Sequence, residues 1–297
     1  MQPPSRTDFE VPEPLSASIE LSPRQILRDA ALLDGLPATT RVYILDTGAT
    51  DLTGWVQAAQ TVRAAGLEAV PHIAARRIKS AGEIEHRIAA LTREAGVRDM
   101  LVIAGGTSAP QGPFDSSIAL LETGVIERHG LRDVGIAGHP EGSPDIPDRA
   151  IEAALDWKLA WAARAGVKLR LVTQFSFNAD AVREWIDRMH ARGIALPVHI
   201  GIAGPTGLAS LLRYAALCGV KASAHAAVRR GSALSALVTS YTPEPFAHAI
   251  EWHAELTSGA HVAQLHVFPF GGLKATADWL IKRGSWEPRP AGTRGDT

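Results

Sequence analysis

Several side chains in this sequence stand where apolar segments end, and their types could do chemistry there. Glu20 follows Ala17-Ser18-Ile19, so a carboxyl occupies a position where a buried run would ordinarily continue. Burial pushes such a group toward its acid form and makes it a proton donor usable near neutrality. Leu171-Val172-Thr173-Gln174-Phe175-Ser176-Phe177 is an apolar run that ends in a carboxamide between aromatics. An amide offers one donor and one acceptor edge to a flat heterocycle, and Phe175 and Phe177 offer apolar walls. His72, His139, His199 and His266 close other apolar runs. A metal reading of them is disfavoured, because the first strand lacks His-x-His and no helix carries a His-x-x-x-His pair with an intervening Glu in metalloprotease spacing. On residue type alone, Glu20 reads more readily as a surface charge just past a strand. Gln174 reads as well as a cap, and each Phe as core.

The elements that must position these residues alternate along the chain. Short apolar strands are expected at Ala17–Leu21, Val42–Leu45, Glu68–Ile73, Asp99–Ile103, Asp133–Ala137, Lys168–Thr173, Pro197–Ile200 and Ala263–Val267. Amphipathic helices are expected between them, at Pro23–Asp34, Leu52–Ala65, Ala81–Ala95, Ser116–His129, Asp148–Ala165, Asp180–Ala191, Leu208–Leu217, Pro243–Ser258 and Lys274–Lys282. Asp51, Ser80, Asp148 and Asp180 are the expected caps, and Gly66, Gly96, Gly130, Gly166 and Gly193 the expected stops. Eight strand–helix repeats fit a single-domain α/β fold of the (β/α)8 TIM-barrel type over residues 15–284, with a loose arm at 1–14 and a loose tail at 285–297. An open doubly wound sheet would ordinarily carry Gly-x-Gly-x-x-Gly after its first strand, and none is present. Gly204 to Gly207 is too short for a phosphate loop and has no lysine.

Bulk properties narrow the function class. With 297 residues, 46% of them apolar, and a formal charge of −1, the chain has material for one large core and no general pull toward nucleic acid or anionic membrane. A single cysteine, Cys218, suits a reducing compartment and reads as buried and inert. The start is polar and proline-rich and no segment reaches spanning length, so a cytoplasmic protein is expected. Trp157 and Trp161, four apart, read as barrel exterior or as a homo-oligomer contact. Arg76, Arg77 and Lys79, and separately Arg229 and Arg230, suit either an anionic ligand tail or, more ordinarily, a solvated rim.

At the strand ends the sequence resembles the 5,10-methylenetetrahydrofolate reductase family. The matching pieces are Ser18-Ile19-Glu20 with Pro23, Thr47-Gly48-Ala49, Glu68-Ala69-Val70-Pro71-His72, Gly138-His139-Pro140-Glu141-Gly142-Ser143-Pro144, Ala165-Gly166, Val172 to Phe177, and Gly201-Ile202. The resemblance implies a barrel that takes FAD at its strand C-termini, with NAD(P)H and then a folate as successive partners. It implies that Glu20 is the catalytic acid that opens the five-membered ring of methylenetetrahydrofolate. It implies that Gln174 binds the pterin with Phe175 and Phe177 beside it, and that His72 lines the cofactor pocket together with Asp46, Gly105, Gly106, Thr107, His139 and Glu141.

The departures fall on one side of that pocket. Where the family's fourth strand ends in Arg-Gly-Asp, this chain has Gly105-Gly106-Thr107. His139 replaces a tyrosine, Ser143 a histidine and Asp46 a threonine. The family's helix lysine is missing, with Lys158 present but out of alignment, and Lys274 is the one stand-in for an arginine after the last strand. Glu20 and Gln174 are kept while the flavin contacts are altered. Two forms follow: NAD(P)H passes hydride straight to the folate, or FAD binds through backbone and substituted side chains. Methyl transfer or demethylation on a folate, and a non-catalytic folate-binding subunit, are the competing readings. No motif separates NADH from NADPH.

Overall fold

The alternation of apolar runs closes on itself. In the computed structural model, which describes residues 11–217, 240–257 and 259–289, eight parallel strands form a closed barrel. They are β1 (Ala17–Leu21), β2 (Arg41–Ile44), β3 (Glu68–Ala74), β4 (Asp99–Ile103), β5 (Asp133–Gly138), β6 (Lys168–Thr173), β7 (Val198–Ala203) and β10 (Val262–Phe268). Their order around the barrel is β1-β10-β7-β6-β5-β4-β3-β2. A two-stranded antiparallel ribbon, β8 (Thr206–Gly207) with β9 (Ser240–Tyr241), stands outside the barrel. The expected (β/α)8 barrel is the observed fold, and each strand lies within three residues of its expected bounds. The expected arm and tail fall largely, and Cys218, Arg229 and Arg230 wholly, outside the described residues.

Period-2 alternation explains where the core sits. One set of strand side chains, including Ile19, Leu21, Val42, Ile44, Val134, Ile136, Ile200 and Val267, joins the main apolar cluster beneath the helices. The opposite set fills the barrel interior: Tyr43, Val70, Leu101 and Val172 form a separate small cluster there. Strand register then stacks the polar members, pairing Ser18 with His266 across β1 and β10 and Glu20 with Tyr43 across β1 and β2.

Local chemistry sets most helix bounds. Ser22 and Gln25 make a capping box at α1 (Pro23–Arg28), which ends before the short α2 (Ala30–Leu33). Asp51 and Ser80 cap α3 (Leu52–Ala64) and α4 (Ala81–Glu94) through Gly54 N and Glu83 N. The span expected as one helix over Ser116–His129 is two, α5 (Ser117–Leu121) and α6 (Val125–Arg128), because Gly124 adopts φ +70° between them. Two expected caps are inside their helices. Pro147 precedes α7 (Asp148–Ala165), and Asn178, accepting from Ala181 N, caps α8 (Ala179–Ala191). The remaining helices are α9 (Leu208–Leu217), α10 (Glu244–Leu256) and α11 (Leu273–Lys282). Trp161 is buried on α7 and donates to Glu127 Oε1 at 2.9 Å, with Trp157 half-buried beside the core.

One close backbone approach lies between β6 and β7. Gly201 N donates to Thr173 Oγ1 at 2.8 Å, and a Cβ on Gly201 would lie 2.4 Å from the Gln174 carbonyl. No side chain can yield there, because the obstacle is backbone. Gly201→Ala is therefore expected to destabilise the protein by about 2 kcal/mol or more, and urea unfolding of the variant against wild type measures it.

Candidate active site

The strand C-termini carry the polar residues to one mouth. Glu20 ends the inward row of β1 and is 8% exposed. Its Oε2 lies 3.3 Å from His266 Nε2 on β10 and 3.5 Å from His72 Nε2 on β3, the latter outside hydrogen-bonding geometry. Burial raises the Glu20 carboxyl to about 7, opposed by the neighbouring His72. Burial likewise lowers His72 to about 4 and His266 to about 3. Between roughly pH 4 and 7 the cluster thus holds a neutral acid among neutral imidazoles.

A second polar layer lies directly beneath. The Tyr43 ring packs 4.4 Å from the His266 ring and 5.9 Å from His72. Arg170 Nε donates to the Tyr43 hydroxyl at 2.8 Å, which leaves the hydroxyl proton for His199 Nδ1 at 3.1 Å. Arg170 also pairs with Asp99 at 2.8 Å, in a geometry poor for a hydrogen bond, and Arg41 Nε donates to the other Asp99 oxygen at 3.2 Å. Burial holds Tyr43 at about 12, so its phenol stays protonated. Sequence reasoning missed this layer. The signal available was a Tyr, an Arg and an Asp inside otherwise apolar strands, where an unpaired polar group is costly and a partner is therefore implied.

The other expected site residues lie around the rim. Gln174 is exposed and folds back, its Oε1 accepting from Phe175 N at 3.0 Å, so only its amino group faces outward. Phe175 is buried among Phe177, Phe268 and Phe270, with centroids 5.7, 5.1 and 4.9 Å away. Phe177 meets Tyr241 edge-on at 5.6 Å, and with Tyr241, Thr242 and Phe246 it lines a cavity of about 270 Å³. Glu141 accepts from the Ser176 hydroxyl. Lys274 extends to solvent and pairs with Asp278 at 2.8 Å, away from the cluster.

After β2 and β4 the geometry is more specific. Asp46 accepts from Gly48 N at 3.2 Å and pairs with Arg87 at 3.4 Å. Gly105 adopts φ +91°, and a Cβ there would meet Ala74 Cβ at 3.0 Å, whereas Gly106 faces open space. Thr107 Oγ1 is buried without a partner. Arg76 is spent on this loop, donating to Thr107 O at 3.3 Å and Asp115 O at 2.7 Å. Lys158 reaches inward from α7, is 8% exposed and is lowered to about 8 by burial. It acts on His139, which burial first and Lys158 second hold below the ordinary imidazole range. Among the described residues, no three His, Cys, Asp or Glu side chains form a metal-binding group, and no helix is long and apolar enough to cross a membrane.

Fold and site together define a (β/α)8 barrel with a buried acid at the mouth and unpaired polar groups on its rim. A model of the methylenetetrahydrofolate reductase family matches residues 40–268, and this chain belongs to that family. It is 28% identical over 156 residues to a 5,10-methylenetetrahydrofolate reductase of Pectobacterium carotovorum subsp. carotovorum, covering 52% of this chain and 50% of that protein. It is 36% identical over 93 residues to methylenetetrahydrofolate reductase 1 of Schizosaccharomyces pombe, covering 31% of this chain and 15% of that one. The matched region thus spans half the length of the bacterial relative and a smaller part of the yeast one. Among solved structures, a dihydropteroate synthase of Thermus thermophilus aligns over 93% of this chain and 94% of its own at 15% identity and TM-score 0.47.

The raised Glu20 carboxyl has a consequence for stability. A group held above its ordinary value of 4.5 binds its proton more tightly when folded, so folding stability falls as pH rises from there to about 7. The loss is on the order of 3 kcal/mol above that window. Glu20→Gln, which cannot ionise, should unfold at a higher temperature than wild type at pH 8, with the gain shrinking toward pH 5. Thermal unfolding across that range checks it.

Proposed function

We propose that this protein reduces 5,10-methylenetetrahydrofolate to 5-methyltetrahydrofolate with NAD(P)H, and that hydride passes to the folate without a flavin. The observation that carries the reaction is the buried Glu20, held neutral with a proton to give. Protonation of the ring nitrogen that becomes the leaving amine breaks its bond to the methylene carbon and leaves an iminium on the other nitrogen. The reduced nicotinamide supplies the hydride that turns this iminium carbon into a methyl group. One proton and one hydride are consumed, and Glu20 accounts for the proton.

The rim supports a dinucleotide more readily than a flavin pyrimidine. Thr107 Oγ1 is buried without a partner, and Lys158 is a buried cation that burial holds below its ordinary range, which suits ribose hydroxyls and phosphate oxygens. Gly105 and Gly106 keep the β4 loop open to a close backbone approach. Two of the charges that could have addressed a flavin are engaged elsewhere: Asp46 with Arg87 and Gly48, and Arg76 with its own loop. Gln174 must release Phe175 N before both amide edges can meet a pterin, and Phe177 with Tyr241 and Phe246 gives that ligand an apolar wall.

Purified, flavin-stripped protein should oxidise NADH or NADPH anaerobically when methylenetetrahydrofolate is added, and added FAD should not change the rate. Turnover that requires FAD would overturn the direct-transfer part of this reading. Absence of turnover in both arms would overturn the reductase assignment in favour of methyl transfer or a binding role. Glu20→Gln should lower kcat at least a hundredfold while leaving folate affinity within a few-fold of wild type.

A further inference from the structure

Of the two histidines beside Glu20, His266 alone has a partner on its far nitrogen that decides where its proton sits. His266 Nδ1 lies 3.1 Å from Ser18 Oγ, and Ser18 Oγ lies 3.2 Å from Leu265 O. A hydroxyl has one proton and a carbonyl only accepts, so both contacts are hydrogen bonds only when the Ser18 proton goes to Leu265 O. The Ser18 oxygen is then an acceptor, and the atom facing it must be Nδ1–H. A neutral imidazole carries one N–H, so Nε2 presents a bare lone pair to Glu20 Oε2 at 3.3 Å. A carboxylate would set lone pair against lone pair across that gap. A carboxylic acid donates its proton into it.

We propose that His266, its tautomer set by Ser18, is a positioning residue that selects the acid form of Glu20. This rests on the reading of Glu20 as the proton donor and explains how the donor stays loaded near neutral pH. Burial alone disfavours a carboxylate, but it does not orient the proton; a fixed acceptor on one side of the carboxyl does both.

The surrounding groups leave that arrangement intact. His72 on β3 faces the same carboxyl oxygen at 3.5 Å without hydrogen-bonding geometry. The Tyr43 ring on β2 lies tilted by 60° against the His266 ring at 4.4 Å, and the Phe268 ring lies 4.9 Å away on β10 itself. Arg170 on β6 is the buried cation nearby, 5.4 Å from the Tyr43 ring and ion-paired with Asp99 on β4. Its charge opposes an imidazolium at His266, at His72 and at His199 on β7. His266 therefore stays neutral and acts through its lone pair.

The test is a nitrogen-15 spectrum of histidine-labelled resting protein at about pH 6, with His266 assigned from its Gln variant. Nδ1 is expected to be pyrrole-type and Nε2 pyridine-type. A pyrrole-type Nε2, which would donate to a Glu20 carboxylate, overturns the proposal on the wild-type protein alone. In Ser18→Ala the freed Nδ1–H has no acceptor, so the tautomer should reverse. The carbon-13 titration of the Glu20 carboxyl should then fall by about one pH unit, a tenfold change in acid fraction. A titration that stays in place overturns it as well. Neither readout needs turnover, so a protein that shows the predicted tautomer but reduces no folate sinks the reductase reading and leaves this one standing.

Discussion

The interior of a closed parallel barrel has no water to offer, and every polar side chain on its inward face must find its partner there. That constraint governs the site. Arg170 is the charge that has to be accommodated, and Asp99, with Arg41 behind it, neutralises it from one side while Tyr43 accepts from it on the other. Removing Asp99 would leave the buried Arg170 charge uncompensated, which costs far more than the intact pair contributes. The layer is a polar floor, and the acid cluster stands on it.

The floor shapes the chemistry above it. Burial opposes protonation of the imidazoles above it, and the Arg170 guanidinium beneath them adds to that. The same burial acts on Glu20 in the opposite sense, because for a carboxyl the neutral form is the protonated one. One environment therefore yields an acid that keeps its proton and bases that decline theirs. The folded chain gives up stability near neutral pH to hold this arrangement, and the apolar layer between strands and helices, continuous from Ala17 to Trp286, offsets it.

Much of this was legible in the residues. Apolar runs punctuated by Gly66, Gly96, Gly130, Gly166 and Gly193 placed every barrel strand, and each of those glycines has positive φ where its helix ends. Glu20 and His72 stood out as polar groups at strand ends, and both lie in the mouth. What could not be read was the side of the strand. In a fully buried parallel strand both faces are apolar, so alternation does not reveal that Tyr43, Arg170 and His199 share an interior. Asp148 and Asp180 have the side chains of caps, yet Pro147 and Asn178 compete for the same position one or two residues earlier and take it. Gln174 was placed at the correct strand end, but an amide one residue from a free N–H can turn back to its own backbone, and this one does.

The rim follows a different logic from the interior. Arg76 binds the β4 loop through carbonyl oxygens of Thr107 and Asp115, contacts that depend on loop path and not on which side chains the loop carries. Gly106 is thereby free to vary without loosening the scaffold, whereas Gly105 is held to glycine by its positive φ and by Ala74, and residues 105–107 carry no charge at all. The interior cluster has no such freedom, since Ser18, Glu20, His266, Tyr43 and Arg170 each satisfy a neighbour across the barrel. A barrel built this way can change what it binds at the mouth while its buried carboxyl stays where the interior puts it. The uncharged β4 loop together with the buried Glu20 shows that division of labour.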